Sequence, residues 1–221
     1  MTYKLYSGTR NASSWAMRAW LALREQGIEF EEQIIDLRKP QRFKQLAEVG
    51  KISPPAAVPV LVTGTATIFD SSAIMEFASE SGERPLLPDD PEKRARARSF
   101  VAWQHSGLSG ICPRISFESS FYPDRRALTD DELSDCRRLF TATESELASN
   151  GGPFLFGELS LADLALTPTV IRLDAHNPIF DDFPLTAKWF EAVLSLDTVR
   201  EWLDEARPLS HIWFEDYLPE S

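Results

Sequence analysis

Polar and apolar residues alternate through "YKLYSG" (3–8), and the run stops at Gly8. A period of two predicts a β-strand. From residue 14 to 26 the spacing turns helical, with Trp15, Ala19 and Ala22 on one face and Arg24 and Glu25 outside. Gly27 stands where a helix C-cap belongs. "EFEEQIIDL" (29–37) reads as a second strand, so the opening unit is β-α-β, which favours a parallel pair with a right-handed crossover. Residues 38–50 are polar and predict a short irregular helix. "VPVLVTGTATIF" (58–69) is two β-branched runs about Gly64, a hairpin pattern. In "DSSAIMEFASE" (70–80), Asp and Ser start a helix whose apolar stripe carries Ile74 and Phe77. The order over residues 1–81 is βαβ-α-ββα.

The pattern then changes. "GERPLLPDDPEK" (82–93) carries a proline-rich linker, bounded at 82–92. Beyond it, residues 92–111, 130–149, 161–174, 184–195 and 197–206 all carry helical spacing, and a strand pattern is nearly absent. Ser160 and Asp163 form an S-x-x-D capping pattern ahead of an apolar run. Pro168 inside that run predicts a kink or a break. The fold class is α/β plus all-α, with an N-terminal unit at 1–81 and an all-helical unit at 93–221.

Composition narrows the possibilities. The chain has 221 residues, 43% hydrophobic and 26% charged, as expected of a soluble globular protein. It has no apolar run long enough to span a membrane, and "MTYKLYSG" lacks a signal-peptide pattern. The net charge of −11 argues against nucleic acid or an anionic membrane as partner. Residues 1–80 hold nine basic and nine acidic side chains, so the excess lies in the rest, fourteen against twenty-five. The first unit is thereby left able to accept a small anion. Two cysteines, Cys112 and Cys136, are too few for a disulfide framework or a zinc site and fit a reducing, cytoplasmic setting.

Three short pieces of the first unit carry the chemistry. In "RNASSWAMRAWLAL" (10–23), Asn11, Ser13 and Ser14 cluster at a helix start. Val58-Pro59 opens a strand in "SPPAAVPVL", and Asp70-Ser71 opens a helix in "FDSSAIMEF". With "LFGELSLADLAL", whose buried helix carries the capping pattern, these four motifs in this order resemble the cytosolic glutathione transferase family over nearly the whole chain. The first motif is similar to its serine-type branches, including zeta-like and related bacterial members.

The resemblance implies a thioredoxin-like N-terminal domain that binds glutathione and an all-helical C-terminal domain. It implies that the Val58-Pro59 bond is cis and that the Val58 backbone pairs with the cysteinyl backbone of glutathione. Asp70 and Ser71 then take the γ-glutamyl end: the helix N-terminus and the Ser71 hydroxyl suit its carboxylate, and the Asp70 carboxylate suits its ammonium. The plainer reading is that both residues only cap their helix. A glutathione thiol, with pKa about 8.5, is mostly protonated at neutral pH, and a hydroxyl at a helix N-terminus would stabilise the thiolate. Ser13 is the first choice for that donor, with Asn11 and Ser14 as alternatives, or the residue is simply the N-cap. Two departures matter. The thioredoxin C-x-x-C position reads Ser13-Ser14-Trp15-Ala16, without cysteine. Ala57 stands where many relatives carry Lys or Arg, so Lys39, Gln41, Arg42 and Lys51 become candidates for the glycine carboxylate.

Other features are blander. "KRARAR" (93–98) reads as a solvated helix face with i,i+4 pairs. His105, His176 and His211 show no metal-ligand spacing, and no metal is expected. Trp103, Phe117, Phe121 and Tyr122, from the first long helix of the second unit, and Trp213 with Phe214 near the end, are candidates for an electrophile pocket. The activity implied is conjugation of glutathione to a small electrophile, or peroxide reduction, by a homodimer with glutathione as co-substrate. Zeta-type isomerisation and a non-catalytic glutathione-binding scaffold are the alternatives.

Overall fold

The computed structural model describes residues 3–213. They form two compact units, one made of the chain up to Pro85 with Glu201–Ile212, the other of Leu86–Arg200 with Trp213. The sequence pattern assigns everything from residue 93 onward to the helical unit; the structure instead gathers Glu201–Ile212 with the first.

In the first unit, β1 (Tyr3–Gly8), β2 (Phe30–Ile35), β3 (Val60–Val62) and β4 (Thr67–Phe69) make one mixed sheet in the order β2-β1-β3-β4. β1 and β2 are parallel, with α1 (Ser14–Glu25) as the crossover, while β3 is antiparallel to both β1 and β4. The register pairs Gly8 with Ile35, Tyr6 with Val60 and Val60 with Phe69. The ends of β1, β2 and β4 and the start of β3 therefore share one edge of the sheet. α2 (Gln41–Val49) and α3 (Ser71–Ser81) complete the unit.

α1 ends as the glycine predicts: Gly27 takes φ 62°, and the Ile28 amide reaches the Leu23 carbonyl at 3.0 Å. Its buried surface is broader than one stripe, since Ala16, Met17, Ala19, Trp20 and Leu23 are all buried. Trp15 does not join them; it is 40% exposed, with the Arg18 guanidinium 4.1 Å from its ring centre. The added burial comes from far along the chain. α9 (Asp197–Ala206) brings Trp202 edge-on to Trp20 at 5.5 Å.

The second unit contains α4 (Pro91–His105), α5 (Ile111–Arg114), α6 (Asp130–Asn150), α7 (Leu161–Asp174) and α8 (Pro184–Ser195). Its core centres on Phe100, Leu139, Phe140, Leu166, Trp189 and Phe190. Three local expectations are corrected. α4 stops at His105 rather than 111, because Gly107 and Gly110 take φ 90° and 123°, which no helix accommodates. α7 continues unbroken through Pro168; thirteen of its fourteen residues are buried, and that packing outweighs the roughly 3 kcal/mol a helical proline costs. The basic run does not only serve its own helix: Arg94 donates to the Pro88 and Asp89 carbonyls, and Arg96 pairs with Glu146 of α6 at 2.9 Å.

The capping pattern of α7 is a junction. The fully buried Asp163 carboxylate accepts from the Ser160 amide (2.9 Å), the Ser160 hydroxyl (2.6 Å), the Leu155 amide (3.0 Å) and Trp189 Nε1 (2.8 Å). Burial pushes this carboxyl above the ordinary carboxylate range, against the pull of the four donors.

Candidate functional site

Ser13, the Val58-Pro59 pair and Asp70-Ser71 lie where the chain leaves or enters the common sheet edge, while Gln41 and Arg42 belong to α2. β1 runs into residues 9–13, where Thr9 ties the edge together. Its amide donates to the Ile35 carbonyl at 3.1 Å, and its hydroxyl oxygen accepts the Leu37 amide at 2.9 Å. Ser13 is the N-cap of α1, and its Oγ accepts the Ala16 amide at 3.3 Å. A hydroxyl has one hydrogen beyond its acceptor lone pairs. Capping uses the oxygen and leaves the O–H able to donate, so the cap and the thiolate donor are compatible roles. Gly8 is required by this placement, since a Cβ there would lie 2.6 Å from the Ser13 Cβ.

Asn11 is buried beside it, with Nδ2 donating to the Ser210 carbonyl at 3.0 Å and Oδ1 without a partner. The carboxamide nitrogen has a second hydrogen beyond the one given to Ser210, so Asn11 keeps a donor beside Ser13. Ser14 is the first residue of α1 and is half-buried.

The Val58-Pro59 bond is cis, with Pro59 buried at the start of β3. A second cis bond, Lys39-Pro40, lies at the same edge and has no counterpart in the sequence reading. Asp70 caps α3 through Oδ1, which accepts the Ser72 amide at 2.8 Å, while its backbone takes φ 79°. That left-handed conformation is strained for a residue with a Cβ and is characteristic of functional positions. Ser71 follows, 2% exposed, with an Oγ that meets no partner.

The candidates for the glycine carboxylate separate. Lys51 is exposed and paired with Glu48 at 2.5 Å, and Lys39 and Gln41 are exposed. Arg42 is half-buried, and its Nε is a buried donor without a partner. The loop before it is fixed by Arg38, whose side chain and amide all donate to Asp36 and hold that carboxyl below its usual range.

Sequence reasoning missed two features. Ser53, in the loop ahead of the cis proline, is 1% exposed with an unpartnered Oγ. Arg10 is buried, with NH1 and NH2 donating to Glu32 (2.7 and 2.6 Å) and Nε to Glu205 (2.8 Å). Its guanidinium lies 4.2 Å from the Trp202 ring centre, and Trp202 Nε1 donates back to the Arg10 carbonyl at 3.0 Å. Only contacts long-range in sequence reveal this clamp, and no local spacing signals it.

In the second unit the predicted aromatics are placed differently from the expectation. Only Trp103 is on the long helix α4, where Nε1 donates to Ser109 at 3.0 Å. Phe117 and Tyr122 follow α5 in irregular chain and are each 1% exposed. Phe117 meets Phe121 edge-on at 5.4 Å, and Tyr122 packs on Trp213 at 4.4 Å. Phe214 lies outside the described residues. Both cysteines are free and belong to this unit. Burial, with Glu132 and Asp135 nearby, pushes the Cys136 thiol up to about 12. Among the described residues no group of His, Cys, Asp and Glu is arranged to hold a metal, and no helix is long and apolar enough to cross a membrane.

Comparisons with known proteins identify the family. The profile of the glutathione S-transferase N-terminal domain matches residues 12–81, and that of the C-terminal domain matches residues 126–192. The chain is 33% identical to glutathione S-transferase Z1 of Arabidopsis thaliana, over 93% of each chain. It is 31% identical to the maleylacetoacetate isomerase of Rattus norvegicus, over 87% of this chain and 88% of that protein. A Burkholderia glutathione transferase homolog solved with bound glutathione shares the fold at a TM-score of 0.69 and 24% identity, covering 94% of this chain and 99% of that one. With two domain profiles matched in order and full-length relatives above 30% identity, the chain belongs to the glutathione S-transferase family.

Proposed function

We propose that the protein binds glutathione at the common sheet edge of its first unit and activates the thiol for attack on a small electrophile. The carrying observation is that the chain segments leaving or entering that edge carry buried polar atoms without partners: Asn11 Oδ1, Ser53 Oγ, Ser71 Oγ and Arg42 Nε. Each such atom costs about 1–3 kcal/mol if left unsatisfied, which favours a polar ligand that satisfies them. Glutathione fits their chemistry. Its γ-glutamyl carboxylate suits Ser71 at the α3 N-terminus, its ammonium suits Asp70, and its glycine carboxylate suits Arg42. The backbone of Val58 before the cis proline pairs with its cysteinyl unit, and the Ser13 hydroxyl donates to the sulfur. No protein cysteine is needed. The thiolate conjugates to the electrophile or reduces a peroxide, and the protein works as a homodimer in the cytoplasm.

A second reading is supported by the identity to a maleylacetoacetate isomerase. There the thiolate adds to an activated alkene and leaves again, so glutathione is regenerated. Stoichiometry separates the two. Conjugation of 1-chloro-2,4-dinitrobenzene consumes one glutathione per product, whereas isomerisation of maleylacetoacetate proceeds with glutathione at catalytic concentration. Absence of both activities, with glutathione bound in calorimetry, would leave the scaffold reading.

A further inference from the structure

Ser13 stands where the loop from β1 becomes α1, so the direction of its hydroxyl depends on how loop and helix are held. The short-range hold is local. The Ala12 and Ser13 amides donate to the Thr9 carbonyl at 2.9 and 3.0 Å, and Ser13 Oγ takes the Ala16 amide. The long-range hold comes from one residue of α9. Trp202 is fully buried, donates Nε1–H to the Arg10 carbonyl at 3.0 Å, and meets Trp20 of α1 edge-on at 5.5 Å. It therefore fixes the chain on both sides of Ser13, the loop before it and the helix after it.

Arg10 ties the same parts together with its side chain. Its guanidinium lies 4.2 Å from the Trp202 ring centre and 5.1 Å from that of Trp20. Nε donates to Glu205 of α9 at 2.8 Å, and NH1 and NH2 take Glu32 of β2. A planar fork of five donors joins β2 to α9 in one orientation, which a lysine ammonium does not. Apolar side chains of similar volume often hold a buried junction as firmly, because an ion pair there repays little more than its desolvation. What the charged, hydrogen-bonded version adds is a single geometry. Asn11 braces the loop more weakly, since its partner Ser210 lies in exposed chain beyond α9.

We propose that Arg10 is a positioning residue for the reacting thiol, and that Trp202 and Glu205 of α9 act through it. The clamp fixes the direction in which the loop before α1 presents its donor to sulfur. Hydrogen bonds weaken steeply when donor and acceptor fall out of line, so a loosened loop would stabilise the thiolate less. The inference rests on the glutathione reading given above. The proposed γ-glutamyl contacts, Asp70 and Ser71, stand on a different segment at the start of α3. Loosening the clamp is therefore expected to act on thiol ionisation and to leave glutathione affinity nearly intact.

The test is thiolate absorbance of the glutathione complex against pH, with kcat and KM over the same range, on the full chain. Trp202→Phe keeps a ring but removes the N–H given to the Arg10 carbonyl. Glu205→Ala frees Arg10 Nε at a side chain that is 48% exposed, and carries the test should Trp202→Phe not fold. Each is expected to raise the bound thiol pKa by about half a unit or more, which lowers the thiolate fraction about threefold below that pKa. On that side kcat falls by the same factor, the loss fades as pH rises, and KM for glutathione stays within about twofold. Glu205→Gln, which keeps an acceptor, recovers most of the shift. Glu201→Ala removes the Arg24 pair at 2.7 Å, a tie between α9 and α1 that does not touch Arg10, and is expected to leave the pKa unmoved. A shift in Glu201→Ala as large as in Glu205→Ala would reduce the clamp to general stability and overturn the proposal. A lowered wild-type pKa with superimposable titrations in the folded clamp variants would overturn it alone. A wild-type complex that titrates like free glutathione would overturn the glutathione reading as well.

Discussion

The carboxamide of Asn11 donates to the carbonyl of Ser210 at 3.0 Å, joining residues 199 positions apart. Asn11 is thus a strut that holds the loop before α1 against the late segment of the same unit. Its role in catalysis is expected to be indirect. Asn11→Ala should lower stability by about 1 kcal/mol, the ordinary value of one hydrogen bond, in urea denaturation. The pKa of bound glutathione should stay where it is in the wild type. A large rise in that pKa would make Asn11 the thiolate donor instead.

Ser13 should behave in the opposite way. If its O–H donates to the sulfur, the thiol pKa of bound glutathione falls below about 8.5; a two-unit fall raises the thiolate fraction at pH 7 from about 3% to about 75%. Ser13→Ala should cut turnover sharply near neutral pH, with a deficit that shrinks as pH rises and solvent ionises the thiol unaided. Loss of the cap adds about 1 kcal/mol of destabilisation, which chemical denaturation separates from the kinetic effect. Thiolate absorbance titrated on both complexes reads the shift, and superimposable curves would clear Ser13.

Asp70 holds a strained backbone and a cap at once. Asp70→Ala should weaken glutathione binding by about tenfold or more in calorimetry, since a hydrogen bond to a charged group contributes about 1.5–3 kcal/mol. Asp70→Asn retains the cap and the tolerance for positive φ but lacks the charge. Affinity equal to wild type in the Asn variant would reduce Asp70 to a helix start.

Asp163 is expected to dominate the stability of the second unit. Asp163→Ala strands four buried donors, two of them amides, and should cost at least about 3 kcal/mol. Trp189 fluorescence during urea unfolding follows this directly, because its indole loses its acceptor. Asp163→Asn, which keeps one acceptor oxygen, should fall between the two.

The cysteines should be silent in catalysis. Cys112→Ser with Cys136→Ser is expected to keep most glutathione-dependent activity. With its thiol pushed up to about 12, Cys136 stays protonated at every working pH, so a disulfide reagent should label it only after unfolding. Rapid labelling of Cys136 in the native protein would contradict its burial.

The elements were legible wherever one face is apolar and the ends carry caps. The spacing predicts α6 and α8 to within a residue, and Gly27 marks the end of α1. Legibility failed where tertiary contacts set the outcome. Trp15 fits a helical stripe but turns to solvent, because the buried face of α1 follows neighbours that periodicity does not reveal. Pro168 reads as a break, yet burial on all sides keeps α7 whole. At the candidate site, motif order located the three loop starts. The Arg10 clamp, the orphaned Ser53 hydroxyl and the preference for Arg42 over Lys51 depend on partners distant in sequence or on burial.

The Arg10 clamp sets an order of events during synthesis. Arg10 is synthesised 195 residues ahead of Glu205, so Glu205 emerges only after Leu86–Arg200 of the helical unit have been made. Until then the nascent first unit carries a cation destined for burial with only Glu32 to match it. A fragment ending at Pro85 would stop permanently at that stage, so the first unit is not a module that can be cut out at the proline-rich boundary. Its completion waits on Glu201–Ile212, and Leu86–Arg200 have time to fold before the sheet domain closes.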